Sequence, residues 1–359
     1  MKKRVTLEHI AQAVGVSKMA VSLAMRGDRS IGRETAEKIK ATAREMGYVP
    51  NRMAQNLVKG KSHTIALLIS APLHDDYQNQ IISGAVPYAM KRGYTLFVAP
   101  MSHHEMEGAY IEKYNHMMVD GFLAFHSLNS VNYRKLKQEG VPFVLYTKYF
   151  HDLDCDYVVG DDFQGGFRMT RHLIGLGHTN IGFVYDGRLR QSSEIAERIR
   201  GFRHALKKSG IPYSDDLLLP FELHYHAEEM TAAHLLRTNP EFTERMSLAS
   251  RPTALFVCND ITASSVYLAL KRLGLNIPED VSVGGYEGVY LGSIMDPELT
   301  TVATPIADMG RKACELLIDK IEGKVAPNET VHIKLEPQLV IRHSTATFGS
   351  RTPNRIPFP

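Results

Sequence analysis

The chain has 359 residues, 44% hydrophobic and 23% charged, with a net charge of +3, the balance of a soluble globular protein of two or three domains. No apolar run of about 18 residues or more argues for a membrane span. The basic start leads into an amphipathic pattern rather than a signal-peptide core, so a cytoplasmic protein is expected. Cys155, Cys258 and Cys314 are far apart and lack CxxC spacing, which reads as three buried thiols in a reducing compartment.

Residues 1–61 carry 13 Lys+Arg against 5 Asp+Glu, whereas the remainder carries 29 against 34. A basic head on a mildly acidic body fits a nucleic-acid module fused to a second domain, although a charge run alone is usually a solvated face. Leu7, Ile10, Ala11 and Val14 form one helical stripe. Gly15 permits a tight turn, Ser17 caps a second helix, and Val21, Ala24 and Met25 face inward. A third helix is expected from about Gly32 to Met46. This is a helix-turn-helix pattern, whose second helix offers Ser17, Lys18, Met19, Ser22 and Leu23 to the major groove. Pro50 and Asn51 open a short helix carrying Ala54 and Leu57. From the residues alone it reads equally as a conditional element with Leu57 as a minor-groove wedge, or as a linker helix packing Leu57 on the body.

From Thr64 onward short apolar strands alternate with amphipathic helices, the pattern of a parallel α/β sheet. Strands are expected at Thr64–Ser70, Tyr94–Pro100, Gly121–His126, Pro142–Tyr146, Tyr157–Gly160, Asn180–Tyr185, Thr253–Cys258, Ser282–Gly285 and Val331–Leu335. Helices are expected near 77–92, 105–117, 162–176, 194–209, 226–237, 260–273 and 306–322. Nearly 300 residues exceed one comfortable core, so two subdomains follow, with a change near Gly160–Asp162.

Open sheets bind ligands at the carboxyl ends of their strands, which singles out Asn259, Asp260 and Glu287. Arg198 has no acid at i+4 to settle its charge, and its planar fork suits hydroxyls or a carboxylate. Tyr77 and Tyr146 offer flat apolar surface for a sugar ring. Plainer readings stand beside these: Asn259-Asp260 as a helix cap, Arg198 as a surface residue, Tyr77 as core. His103-His104 and His224-Tyr-His226 lack metal-ligand spacing, so no metal and no cofactor are expected. Asp75-Asp76 and Asp161-Asp162 are adjacent acids that do not face one another, and no P-loop or nucleophile elbow is present.

The strings Thr6-Leu-x-x-Ile-Ala-x-x-x-Gly-Val-Ser-x-x-x-Val-Ser22 and Gly47-Tyr-x-Pro-Asn-x-x-Ala-x-x-Leu57 resemble the lac-repressor (LacI/GalR) family of bacterial transcription regulators. The resemblance continues through Asp161-Asp-x-x-Gly165, Leu173-x-x-x-Gly-His178, Arg198-x-x-Gly-Phe202, Cys258-Asn-Asp260, Leu299-Thr-Thr-Val302 and Met309-Gly-Arg-Lys-Ala313, and covers roughly residues 4–345. It implies an all-α head and a periplasmic-binding-protein-like body of two parallel-sheet subdomains crossed three times by the chain. It also implies an effector, a sugar or related metabolite, in the cleft between them, with the counterpart of Arg198 pointing into it. Four residues depart from the family pattern: His9 for Asp, Ala20 for Thr, Gly32 for Ser and Glu287 for Asp.

The implied division is 1–48 for the helix-turn-helix domain, 49–61 for a hinge helix, 62–345 for effector binding and dimerisation, and 346–359 for a flexible tail. Within the body the first subdomain is expected at about 62–160 and 291–323, the second at about 161–290 and 324–345. The expected DNA-contacting residues are Thr6, Ser17, Lys18, Met19, Ser22, Leu23, Arg26, Asn51, Arg52, Ala54, Leu57 and Lys59. The expected reading is a non-enzymatic, homodimeric repressor on a palindromic operator, the tail lacking heptad leucines for a tetramer. A transporter's solute-binding protein explains the body but not the basic head, and a sugar-acting α/β enzyme lacks a catalytic constellation.

Overall fold

The computed structural model describes residues 5–48, 62–70, 76–101, 107–116, 119–125, 129–223 and 231–349. The chain divides into two compact units, Met1–Ser62 and His63–Pro359.

The first unit holds α1 (Leu7–Val14), α2 (Lys18–Arg26) and α3 (Arg33–Glu45). Their apolar stripes meet in a small core of Ile10, Ala11, Val21, Ala24, Ile39 and Ala43. Local chemistry sets the helix ends. The Thr6 hydroxyl accepts the His9 N–H at 3.4 Å while His9 Nδ1 accepts the Thr6 N–H at 3.2 Å, a reciprocal cap. His9, a departure from the family pattern, therefore closes the first turn. Gly15 ends α1 at φ 78°, and the Ser17 hydroxyl accepts the Ala20 N–H at 3.1 Å to open α2. Gly32 precedes α3 without a side-chain cap.

The body contains two six-stranded sheets. The first has the order β11-β5-β4-β3-β1-β2, with β1 Thr64–Ser70, β2 Thr95–Met101, β3 Gly121–Phe125, β4 Phe143–Tyr146, β5 Tyr157–Gly160 and β11 His332–Leu335, all parallel. The second has the order β12-β10-β9-β8-β6-β7. Its strands are β6 Ile181–Tyr185, β7 Leu218–Pro220, β8 Ala254–Val257, β9 Ser282–Glu287, β10 Thr300–Ala303 and β12 Gln338–Val340. Only β12, at an edge, runs antiparallel to its neighbour β10.

Sheet membership corrects the expected subdomain bounds. β10 lies within the expected first-subdomain span 291–323 yet pairs with β9 of the second sheet. β11 lies within the expected second-subdomain span 324–345 yet pairs with β5 of the first. The chain thus crosses between halves after Gly160, at Thr304–Pro305 and at Glu336–Pro337. Strands β7, β10 and β12 and the helices Ser130–Gln138, Pro240–Ser247 and Leu291–Ile294 were not expected. The helix expected at 226–237 is described at Ala232–Thr238, residues 224–230 lying outside the described set. The expected flexible tail begins too early. Ala346 N–H donates to Ser282 Oγ at 3.0 Å, Phe348 N–H donates to Leu176 O at 2.8 Å, and the Phe348 ring packs 5.7 Å from His178.

Helices cover the sheets through close backbone crossings. In the first half α4 (Asp76–Lys91) crosses α13 (Ile306–Ile321), where a Cβ on Gly310 would lie 2.3 Å from the Ile81 carbonyl oxygen. In the second half α7 (Asp162–Gly175) crosses α8 (Ser193–Lys208), where a Cβ on Gly201 would lie 2.2 Å from the Phe163 carbonyl oxygen. The glycines in Met309-Gly and Arg198-x-x-Gly are therefore packing requirements. Gly310→Ala and Gly201→Ala should each lower the urea midpoint by an amount equivalent to about 1–3 kcal/mol. Gly175→Ala, which has nothing within 4 Å at a helical position, should leave it unchanged or raise it slightly. Equal midpoints for all three variants would contradict this account of the crossings.

Candidate functional site

On the head, the first turn of α2 presents Ser17, Lys18 and Met19 to solvent, Met19 being 73% exposed. Thr6 is exposed with its hydroxyl committed to the cap of α1. Ser22 and Leu23 are half-buried, and Ser22 Oγ accepts a hydrogen bond from the exposed Arg26 guanidinium at 2.7 Å. Helix N-termini carry free N–H groups and a positive dipole end, so this turn suits a phosphate-lined groove. Asn51, Arg52, Ala54, Leu57 and Lys59 lie outside the described residues.

In the body, the carboxyl ends of strands from both sheets converge on a cavity of about 60 Å³. That is well below the roughly 300–1,000 Å³ of ordinary small-molecule pockets. A sugar-sized ligand therefore requires this cavity to enlarge. Tyr77, Arg198, Asn259 and Glu287, all expected from the sequence, line this cavity. Tyr77 comes from the first turn of α4, and its ring stacks on Phe125 at 5.9 Å. Asn259 caps α11 (Asp260–Arg272) by accepting the Thr262 N–H at 2.8 Å, which leaves its amide N–H groups as the capacity for a ligand.

Arg198 is buried, not a surface residue. Its Nε donates to Asp162 Oδ1 at 2.8 Å, its Nη1 donates to the Cys258 carbonyl at 2.7 Å, and the guanidinium lies 3.8 Å from the Tyr286 ring centroid. Side-chain exposures are 8% for Arg198 and 7% for Asp162. Burial pushes the Asp162 carboxyl up to about 6 and the guanidinium opposes this, so the pair stays ionised at neutral pH. The charge of Arg198 is settled by an acid 36 residues away rather than one turn away.

Two expected ligand residues are placed elsewhere. Asp260 is fully buried: its Oδ2 accepts the Gly288 and Val289 N–H groups, both at 2.9 Å, and its Oδ1 accepts the Thr301 hydroxyl at 2.6 Å. Burial pushes this carboxyl up to about 7. It braces the loop after β9 and does not line the cavity. Tyr146 sits behind Phe125, ring to ring at 5.3 Å, with its hydroxyl donating to Leu68 O at 3.4 Å. The other adjacent acids also have local tasks. Asp161 accepts the Gln164 N–H at 3.1 Å as a cap, and Asp76 accepts the Tyr290 N–H at 2.9 Å across the two halves.

Sequence reasoning missed Phe125, Thr147, Asp186, Glu194 and Ile195 on the cavity wall. Thr147 and Asp186 directly follow β4 and β6, so the carboxyl-end rule, applied to every strand, finds them. Glu194 and Ile195 sit in the first turn of α8, and no local pattern marks them. Strain marks the cavity independently. Thr147 at φ 77° and Glu287 at φ 99° are two of only three non-glycine residues with positive φ among the described residues. Such conformations cost of order 1–3 kcal/mol each and cluster at functional sites.

Arg198→Ala should destabilise the body by about 3–5 kcal/mol, since it leaves the buried Asp162 charge alone. Adding Asp162→Asn to Arg198→Ala should restore part of that loss in urea unfolding. Strict additivity of the two substitutions would contradict the pairing.

Residues 6–51 match the family described as bacterial regulatory proteins, lacI family, and residues 170–345 match a periplasmic binding protein-like domain. The ribose operon repressor of Haemophilus influenzae is 28% identical over 342 residues, spanning 94% of this chain and 98% of that one. The transcriptional regulator CelR in complex with cellobiose aligns at 28% identity with a TM-score of 0.66, over 95% of this chain and 100% of that one. The lac repressor dimer bound to operator and the anti-inducer ONPF, 24% identical, shares the fold with a TM-score of 0.79 over 96% of this chain and 100% of that one. The chain thus joins a lacI-family helix-turn-helix domain to a periplasmic binding protein-like domain.

Proposed function

We propose that this DNA-binding regulator is a repressor whose operator affinity is set by a sugar or related metabolite bound between the two sheets of its body. The observation that carries the reading is the exposed first turn of α2, with Ser17, Lys18 and Met19 facing solvent beside a small three-helix core. These residues read base edges, Thr6 and Arg26 sit against the backbone, and residues 49–61 form the hinge, with Leu57 as its wedge.

Tyr77, Arg198, Asn259 and Glu287 contact the effector in this reading, joined by Thr147, Asp186 and Glu194. The chain works as a homodimer in the cytoplasm, two heads on two half-sites. The likeness to the lac repressor dimer on its operator supports that arrangement. The function is binding rather than catalysis. In support of this, Asp162 is held in an ion pair with Arg198 and Asp260 in a three-donor structural brace.

Selection from random duplexes with the full chain should yield a dyad-symmetric site. Met19→Ala should weaken binding to that site by about tenfold, a change of one base-edge contact, while affinity for unrelated duplex stays within about twofold. An equal loss on both duplexes would remove Met19 from base reading, and failure to enrich any site would refute the repressor reading.

A further inference from the structure

We propose that the effector is an amine-bearing sugar, cationic at neutral pH, rather than a neutral, carboxylated or phosphorylated one. This rests on the reading of the cleft as the effector site. The cavity wall carries three carboxylates, Asp186, Glu194 and Glu287, two from the second sheet's strand ends and one from the first turn of α8. Among the described lining residues the one cation is Arg198, and its guanidinium is already committed to Asp162 and the Cys258 carbonyl. Lys148, buried beside the cavity, is held between the fields of Glu194 and Glu107 and neutralises at most one of them.

Glu194 supplies the second, independent observation. The residue is 6% exposed, and its Oε2 is buried with no hydrogen-bond partner among the described residues. Thr147, 8% exposed on the same wall, has its Oγ1 in the same condition. A buried carboxylate oxygen without a donor is costly, and folded proteins rarely leave one so. A protonated amine supplies three N–H donors and the opposite charge, so it meets Glu194 on both counts. A phosphate or carboxylate instead meets the like charge of Glu194, while Arg198 is already committed to Asp162. The apolar wall of Tyr77, Phe125 and Ile195 leaves a flat surface for the C–H face of a ring. Glu287, held at φ 99°, aims a longer acid than aspartate at the same space.

The test uses the full chain at slightly acidic pH, with melting temperature and calorimetric titration as readouts. The probes are D-glucosamine, D-galactosamine and D-mannosamine, each against its neutral parent sugar and that parent's 6-phosphate. At least one amine should bind about tenfold more tightly than its parent, the worth of one charge-assisted hydrogen bond, and no 6-phosphate should bind. Glu194→Gln, isosteric with the wild type, should cut that preference to about twofold, with Glu287→Gln as the second variant.

A neutral or phosphorylated sugar that binds as tightly as the matching amine overturns the proposal. So does full retention of the amine preference in both variants. If neutral sugars bind and amines do not, the amine proposal falls while the cleft remains a sugar site. If no probe of any series binds, the sugar reading of the cleft falls with it.

Discussion

The cleft is built on the buried ion pair between Arg198 and Asp162. Asp162 begins α7 directly after the first crossing between halves, and Arg198 projects from the adjacent α8. The guanidinium also reaches the carbonyl of Cys258 after β8 and lies over the Tyr286 ring on β9. One side chain thus ties two helices and two strand ends together beneath the ligand space. Removing two charges from water is expensive, and a well-packed apolar replacement often matches such a pair in stability. Its value here lies in geometry: Asn259 follows β8 and Glu287 ends β9, the two strands that Arg198 ties together.

The same region governs how the halves can move. Three crossing segments lie side by side: Asp161 N–H donates to Leu335 O at 2.8 Å, and a Cβ on Gly160 would sit 3.3 Å from the Thr304 methyl. Short parallel connections of this kind permit rotation of one sheet relative to the other while resisting translation. Among the described residues, the Tyr290 N–H to Asp76 and the Tyr149 N–H to Ser193 Oγ, each at 2.9 Å, join the halves on the cleft side. A small ligand has enough binding energy to shift such a balance, provided that it prefers one arrangement.

Much of the architecture was legible because periodicity and turn chemistry are local. The stripe Leu7, Ile10, Ala11, Val14 and the caps at Gly15 and Ser17 specify the head without reference to anything distant. Sheet membership is not local: the strands Thr300–Ala303 and His332–Leu335 exchange halves relative to expectation because pairing partners lie far along the chain. β7 and β12 have three residues each, too short for alternation to register. In the cleft, the carboxyl-end rule located Asn259 and Glu287 but could not separate a side chain facing ligand space from one facing inward. Asp260, one residue after Asn259, turns to brace residues 288 and 289 instead. Arg198 was recognised, but its partner Asp162 belongs to another helix and left no mark at helical spacing.

The central claim is that the angle between the two sheets and the occupancy of DNA are thermodynamically linked. Linkage is reciprocal, so operator binding must bias the angle even when no effector is present. Spin labels at two exposed positions, Val131 in the first half and Leu248 in the second, report that angle through pulsed dipolar distances in the full chain. The account predicts a shift of the distance distribution by more than about 2 Å when the selected operator is added, and none with unrelated duplex. Identical distributions with and without operator would contradict it.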